Sequence, residues 1–290
     1  MNDVAPAQTS NGTDGAAPVG ESDGMAGWRI YALVLLLLAG AGVRAWLVCT
    51  AAGINSDGPK YARVAQRMAE EGVGAGMRGE YLWPYNTVNT RLLVYPFLGS
   101  LLYRLTGDPV LSLRLVSAAC GVALIPLAYL VGLELFSSAR AALAGAFVVG
   151  FEPGFARASA AVYREVTAAF WALLAFYMFL RLLRDDAHRP WWAAGVGAAV
   201  FLGFMTRVDV LLLLIPFCFV VAWRTRGPWR RRLGLPLIMC LVFATLELPY
   251  YLWLYRTTGH HIFSAWQIHL VEPPHEAATR FLESRSLGDD

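Results

Sequence analysis

The long apolar runs constrain this chain more than any other feature, because about 20 apolar residues suffice to cross a bilayer as a helix. Seven runs reach or approach that length, and they cover residues 29–51, 112–136, 140–155, 163–183, 190–206, 208–224 and 233–255. The third run is short for a span. Backbone groups inside a bilayer must satisfy their own hydrogen bonds, so these runs predict helices. The sequence therefore predicts an all-α, polytopic membrane protein with about seven transmembrane helices.

Composition supports the membrane class and argues against several others. Hydrophobic residues make up 57% of the chain and charged residues 16%, with a mean hydropathy of +0.48. Soluble domains are typically about a quarter charged. The net charge of +3 is small, so nothing indicates a nucleic-acid partner. The four cysteines lie far apart in apolar runs without a C-x-x-C pair, which favours packing roles over a disulfide framework or a zinc site.

The segments outside the spans divide the chain. Residues 1–27 are rich in Ala, Gly, Ser, Asp and Asn, which predicts a disordered tail. We expect a transmembrane domain over 28–256, with a long loop over 52–111, and then a C-terminal segment over 257–290. Within the loop, the apolar run Leu92–Tyr103 is too short to cross, and it predicts a helix at the membrane interface or a re-entrant helix.

Arginine clusters set the expected orientation. The segments Arg181–Arg189 and Arg224–Arg232 carry most of the basic residues next to the later spans. Loops with an excess of Lys and Arg stay in the cytoplasm. Seven spans then place the N-terminal tail inside, and they place the 52–111 loop and the C-terminal segment on the exoplasmic side.

The segment "DGPKYARVAQRMAEEG", which starts at Asp57, is charged and yet carries one apolar helical stripe. Apolar residues recur at i, i+3, i+4 and i+7, at Tyr61, Val64, Ala65 and Met68. Pro59 fits the first turn of a helix that begins after Asp57. We expect a short juxtamembrane helix on the outer surface, with the stripe toward lipid. Asp57 would cap it or face a cavity, and its N-terminus beside Lys60 favours an anion.

Four stretches, in order, resemble the GT-C glycosyltransferases of the protein-mannosyltransferase and aminoarabinose-transferase type (glycosyltransferase family 39-like). After a first span with Arg44 near its outer end, "SDGPKYARVAQRM" resembles the family pattern D-x-x-x-Y-x-x-x-A. "YPFLGSLLYRLTGDP" resembles the second juxtamembrane helix and the start of the second span. "FEPGFARASAAVYREV" resembles a Pro-containing loop and an Arg-then-Glu span start, and "AAGVGAAVFLGFMTRVD" a Gly-rich span that ends in Thr-Lys/Arg. The resemblance covers roughly residues 30–225 and departs from the family where a Pro-Pro pair is replaced by Pro96 alone.

The resemblance implies an integral membrane glycosyltransferase, hexosyl or pentosyl, that uses a polyprenyl-phosphate sugar donor. The acceptor would be a lipid, glycan or protein at the outer face of the cell membrane. Asp57 matches the catalytic aspartate and would act as general base. Glu165 would contact the acceptor or fix the surroundings of Asp57. Substrate binding is assigned to six further residues, some matched to the family and some chosen by their position: Lys60, Tyr61, Arg91, Arg164, Arg207 and Glu247.

Each of these assignments has a structural alternative. Arg44 is a weaker candidate for the donor phosphate. Arginines at span ends, such as Arg44, Arg164 and Arg207, can also lie there because long side chains reach water. Glu165 can serve only an ion pair. Glu247 is an acid inside a span and hence a functional candidate by default, but a buried hydrogen bond explains it equally well. No cofactor is required, since Arg and Lys can neutralise a phosphate. A divalent metal is compatible but not indicated, because the histidines after the last span match no regular zinc pattern.

Two other classes of protein stay open at this point. A non-catalytic membrane partner of a larger transferase fits the chain because family members usually carry more spans. A lipid or sugar transporter would also need outer arginines and a lipid groove, although the sequence lacks the internal repeats and paired broken helices of many transporters. The discriminating residue is Asp57, because a transferase needs a carboxylate at the outer site and a scaffold does not.

Overall fold

The structure is a computed structural model that describes residues 23–50, 57–76, 93–225 and 228–258. The regular elements in these ranges are helices, and the described residues contain no strand, which confirms the all-α prediction. In chain order they are α1 (Asp23–Thr50), α2 (Gly58–Glu70), α3 (Val94–Thr106), α4 (Pro109–Phe136), α5 (Ala139–Phe151), α6 (Pro153–Ala160), α7 (Arg164–Arg184), α8 (Arg189–Phe204), a 3₁₀ helix (Val208–Leu213), α9 (Leu214–Arg224) and α10 (Trp229–Thr258).

Among the described residues, four helices are long and apolar enough to cross a membrane. They are Gly27–Thr50 within α1, Pro109–Phe136, Arg164–Arg184, and Arg232–Trp253 within α10. Each coincides with a predicted span, so the multi-pass membrane class is confirmed. The other three predicted spans form shorter helices. Helix α5 has 13 residues and α8 has 16, about 20 and 24 Å at a rise of about 1.5 Å per residue. The span predicted over 208–224 divides into the 3₁₀ helix, with 6 residues, and α9, with 11. A count of seven full spans stays a prediction.

The third predicted span is wrong as a single helix. Helix α5 ends at Phe151 and α6 begins at Pro153. The Glu152 carboxylate accepts hydrogen bonds from the backbone N–H groups of Gly154 and Phe155, so it caps the start of α6. Pro153 has no N–H to donate and its fixed φ suits the first helical turn. The chain therefore starts a new helix where hydropathy alone continued the old one.

Three of the predicted segments can be compared with the described residues. Helix α1 already begins at Asp23, inside the segment assigned to the tail. From Val94 onward the predicted apolar run lies in α3, which has 13 residues and is too short to cross. Whether α3 lies at the interface or is re-entrant stays a prediction. The C-terminal segment from residue 259, with its histidines, lies outside the described residues, as do residues 1–22.

The apolar stripe of α2 is buried by protein, which corrects the expectation that it faces lipid. Its four residues are 3% exposed or less, at Tyr61, Val64, Ala65 and Met68. They form one core cluster with Tyr95 of α3 and Leu113 of α4. The polar face of α2 is also tied to α3, since Tyr103 donates a hydrogen bond of 2.9 Å to Glu70. Helix α2 is therefore a part of the bundle and not a free surface helix.

Candidate active site

One end of the bundle, here called the site end, gathers the N-terminal ends of α2, α3 and α7 against the first three turns of α4. A buried polar contact chain fastens three of them. The Tyr95 hydroxyl donates to the Leu113 carbonyl at 3.1 Å and lies 2.9 Å from Ser117 Oγ. Ser117 Oγ in turn lies 3.3 Å from both the backbone N and the backbone O of Tyr163. Because Tyr163 immediately precedes α7, this chain fixes where α7 begins, and thus where Arg164 and Glu165 lie.

The C-terminal end of α8 reaches the same place through a tight turn. The backbone N–H of Arg207 donates to the Gly203 carbonyl at 2.7 Å, and the 3₁₀ helix starts directly after it. A Cβ at Gly203 would lie 2.5 Å from Val210 Cγ1 and 3.2 Å from Trp171 Cβ. Glycine is therefore needed for the 3₁₀ helix to fold back against α8 and α7. This turn brings Arg207 alongside the first turn of α7.

Four side chains form what we call the charged network, namely Arg164, Glu165, Arg207 and Asp209. Glu165 Oε1 accepts hydrogen bonds from Arg207 Nη1 at 3.2 Å and from Arg164 Nε at 3.4 Å. Arg207 Nε donates to Asp209 Oδ2 at 2.7 Å, and this bond raises the pKa of Arg207. The structure thus brings together the two arginines and the acid that the sequence singled out. The ion pair expected as the structural alternative for Glu165 is present, and its contact with an acceptor stays a prediction.

Helix α2 contributes Tyr61 to the network. The Arg164 guanidinium carbon lies 5.5 Å from the centroid of the Tyr61 ring, within cation–π range, and Tyr61 meets Tyr95 edge-on at 5.7 Å. Burial raises the pKa of Tyr61 to about 12, with further electrostatic influence from Arg164, Asp57, Glu165 and Arg207. These four charged groups therefore all lie close enough to act on one phenol. Tyr61 therefore lies beside the charged network and contacts it through Arg164.

Asp57 occupies the position expected for a helix cap but does not cap. Its side chain makes no capping hydrogen bond, and the residue is exposed. Its backbone carbonyl instead accepts from the N–H groups of Lys60 and Tyr61 at 3.1 and 3.2 Å. The side-chain capping alternative for Asp57 is therefore wrong in this structure.

The remaining predicted site residues are distributed unevenly. Lys60 is half-buried on the first turn of α2. Glu247 is half-buried on α10, on the face that carries Phe243 and Tyr250, which both pack into the cluster around Tyr61. This places Glu247 on the face of α10 that packs against the cluster around Tyr61. Arg91 lies outside the described residues.

Arg44 does not reach toward water, which corrects its structural alternative. It is 0% exposed and donates four hydrogen bonds: Nε to Ser159 Oγ, Nη1 to the carbonyls of Gly40 and Gly150, and Nη2 to the carbonyl of Val149. The last two carbonyls belong to the C-terminal turn of α5, where helix carbonyls lack intrahelical partners. Arg44 therefore joins α1 to α5 and α6.

The charged network retains hydrogen-bonding capacity. Arg164 Nη1 and Glu165 Oε2 are buried and, among the described residues, have no hydrogen-bond partner. Arg164 and Glu165 side chains are 19% and 30% exposed, and Arg207 is 42% exposed. A buried polar atom without a partner carries a cost of about 1–3 kcal/mol. A ligand that accepts from Arg164 and donates to Glu165 would remove that cost.

Asp209 is a member of the network that sequence reasoning missed. Only its place two residues after Arg207 at the end of an apolar run could have identified it. An acid at that spacing follows no periodic pattern, and its pairing depends on the turn at Gly203.

A multi-pass helical bundle with paired arginines and carboxylates at one end defines an integral membrane protein with a cluster of charged side chains at one end of its helices. The chain belongs to the dolichyl-phosphate-mannose-protein mannosyltransferase family, whose profile matches residues 91–253, more than half of its length. The resemblance found in the sequence is thereby confirmed.

Relatives with established names agree with this family. Protein O-mannosyl-transferase 1 of Mus musculus is 28% identical over 183 residues, which are 60% of this chain and 22% of that protein. The protein of the same name from Homo sapiens is 26% identical over the same coverage. The chain thus spans about a fifth of the length of the curated relatives it matches. No solved structure matches the chain significantly.

The family match covers only some residues of the candidate site. Residues 91–253 include the whole charged network and Glu247. Asp57, Lys60 and Tyr61 lie before that range and come to the site through the packing of α2 on α3 and α4.

Proposed function

We propose that the chain is a membrane glycosyltransferase that moves a sugar from a polyprenyl-phosphate donor to an acceptor hydroxyl at the site end. The observation that carries the proposal is the convergence of Arg164 and Arg207 on Glu165. This cluster lies beside α2, which Asp57 immediately precedes. The family description names dolichyl-phosphate-mannose, so mannose is the sugar and a dolichol-type lipid the carrier to be tested first. A protein acceptor is implied by the same description.

The proposed reaction assigns one role to each group. The acceptor oxygen attacks the anomeric carbon while the bond from that carbon to the phosphate oxygen breaks. Asp57 takes the proton of the acceptor hydroxyl. The electron pair of the broken bond stays on the polyprenyl phosphate, whose charge rises from one to two negative charges. Arg164 and Arg207 stabilise that charge, because guanidinium groups pair with phosphate through two parallel hydrogen bonds.

The remaining residues would position the substrates. Tyr61 holds Arg164 through the contact of its ring with the guanidinium, and Asp209 holds Arg207. Lys60 and Arg91 supply further positive charge, and Glu247 lines the acceptor or lipid side. The site end would be exoplasmic and the N-terminal tail cytoplasmic, in the cell membrane.

A transfer assay on Asp57 tests the proposal. Membranes that contain the full chain receive polyprenyl-phosphate mannose labelled in the sugar, and transfer is followed as label that becomes insoluble in organic solvent. Asp57→Asn should reduce transfer by roughly 10²-fold or more, the usual contribution of a positioned base. Since the carboxylate makes no capping bond, the variant should keep its expression, stability and donor binding. Glu71→Gln, an exposed acid at the other end of α2, is the matched control and should transfer at the wild-type rate.

One observation favours a second candidate, a non-catalytic partner of a larger transferase. The family match begins at residue 91 and leaves out Asp57. If Asp57→Asn transfers sugar at the wild-type rate, or if wild-type membranes show no transfer above membranes that lack the chain, the partner becomes the better proposal.

A further inference from the structure

A cavity of about 210 Å³ lies at the end of the bundle opposite the site end; we call it the basic cavity. Its walls come from the last turns of α7 and α9 and from the first residues of α8 and α10. The apolar part of the lining consists of Leu182, Leu183, Val221 and Leu235. At about 30 Å³ for each water molecule, the space equals about seven waters. That is room for a small polar headgroup and not for a hydrocarbon chain.

The polar part of the lining is cationic. It consists of Arg189, Arg224 and Thr225, and the described lining residues include no acid. Arg189 pairs through Nη2 with Asp186, which is 81% exposed, and exposed pairs of this kind contribute little. Arg189 Nε, by contrast, is buried and has no hydrogen-bond partner within the described part of the chain. A donor left unsatisfied in this way favours an anionic acceptor in the cavity.

Tryptophans mark the depth of the basic cavity. Trp191, Trp223 and Trp229 follow or precede the arginines of the lining by one to five residues and are 79%, 78% and 67% exposed. Exposed tryptophans of membrane proteins lie at the level of the lipid headgroups. Below them, α10 exposes Leu237 and Leu241, which can contact acyl chains. The cavity therefore opens where phospholipid phosphates are, which separates it from a site for a soluble anion.

We propose that the basic cavity binds the phosphate headgroup of an anionic phospholipid, with its acyl chains along α10. Arg189 and Arg224 hold the phosphate, and the leucine wall receives the first carbons next to it. Basic pockets between transmembrane helices are known to bind anionic headgroups in this way. The site is separate from the charged network, because it lies at the opposite ends of α7 and α8.

Native mass spectrometry of the full chain in detergent, titrated with phosphatidylglycerol or with phosphatidylcholine, tests the proposal. The wild-type chain should bind phosphatidylglycerol more tightly. Arg224→Gln and Arg189→Gln should each weaken that binding about fivefold, the effect of one basic residue at an anionic surface. Arg224→Lys keeps the charge and should retain most of the binding. The control is Arg140→Gln, which removes an exposed charge at the same end, in the first turn of α5, and should leave binding unchanged.

Three results would overturn the proposal. Equal affinity for the two lipids would show that charge is not recognised. An equal loss in Arg140→Gln would show attraction by the whole surface and not by the cavity. Displacement of the lipid by millimolar inorganic phosphate would show a soluble-anion site. Since Arg224 is exposed, its replacement should leave the chain folded, and an unchanged elution profile in size-exclusion chromatography checks this.

Discussion

Arg44→Met is the perturbation whose cost the structure predicts most directly. The Arg44 guanidinium is buried without a carboxylate partner among the described residues, and its compensation comes from four oxygen acceptors at 2.9 to 3.1 Å. Methionine occupies the volume of the aliphatic part of the arginine side chain but donates no hydrogen bond. The carbonyls of Val149 and Gly150 at the end of α5 then lose their partner.

The magnitude follows from those two carbonyls. A buried acceptor left unsatisfied costs about 1–3 kcal/mol, so two of them predict a loss of about 2–6 kcal/mol. Release of the buried charge offsets a part of that cost. A domain of this size loses about 2–4 °C in midpoint temperature for each kcal/mol, so Arg44→Met should melt about 10 °C lower. Arg44→Lys should lose about half as much, because one ammonium cannot reach acceptors on three helices.

The assay is thermal unfolding of the purified chain in detergent, followed by size-exclusion chromatography after heating. Arg157→Met is the matched control, because Arg157 is an exposed arginine on α6, the helix that Arg44 contacts. It should stay within about 0.5 kcal/mol of the wild type. An Arg44→Met midpoint as high as that of the control would refute the reasoning and would return Arg44 to the role of a surface anchor.

Two further predictions concern the site end. Arg207→Ala should weaken binding of the polyprenyl-phosphate donor about tenfold or more, and Arg207→Lys should restore binding only in part because the bidentate geometry is lost. Arg157→Ala is the control. Unchanged donor affinity in Arg207→Ala would mean that this residue only pairs with Asp209 and Glu165. In a chain without its native cysteines, Val73→Cys after α2 should react with a membrane-impermeant thiol reagent in intact cells, whereas Asp186→Cys should react only after permeabilisation. The reverse pattern would place the site end on the cytoplasmic side.

The parts of the fold that sequence reasoning predicted are those set by local periodicity and length. Four predicted spans became helices of sufficient length, and the stripe from Tyr61 to Met68 became one face of α2. Periodicity identifies a buried face but not what buries it, so the sequence could not distinguish lipid from α3 and α4. Hydropathy likewise continued across Glu152, where a side-chain cap and Pro153 start a new helix.

The sequence predicted several residues of the candidate site but not the contacts that bring them together. The Arg-then-Glu pair at the start of α7 and the arginine after α8 were read from the resemblance. Their meeting depends on two contacts that no sequence pattern contains: the anchoring of Tyr163 by Ser117 and the close turn at Gly203. Arg44 shows the same limit, because its acceptors lie more than 100 positions away on α5 and α6.

The charge balance of the network bears on how the proposed transferase would work. Two guanidinium groups are matched by the carboxylates of Glu165 and Asp209, so the network is formally neutral before any substrate binds. The carboxylates hold the arginines in position, and they also reduce the attraction for a donor phosphate with one negative charge. That attraction grows as the leaving phosphate gains its second charge. An interaction that strengthens along the reaction lowers the barrier, whereas one that is already full in the bound donor does not. Neutral pairing at the site end would therefore favour transfer over tight donor binding.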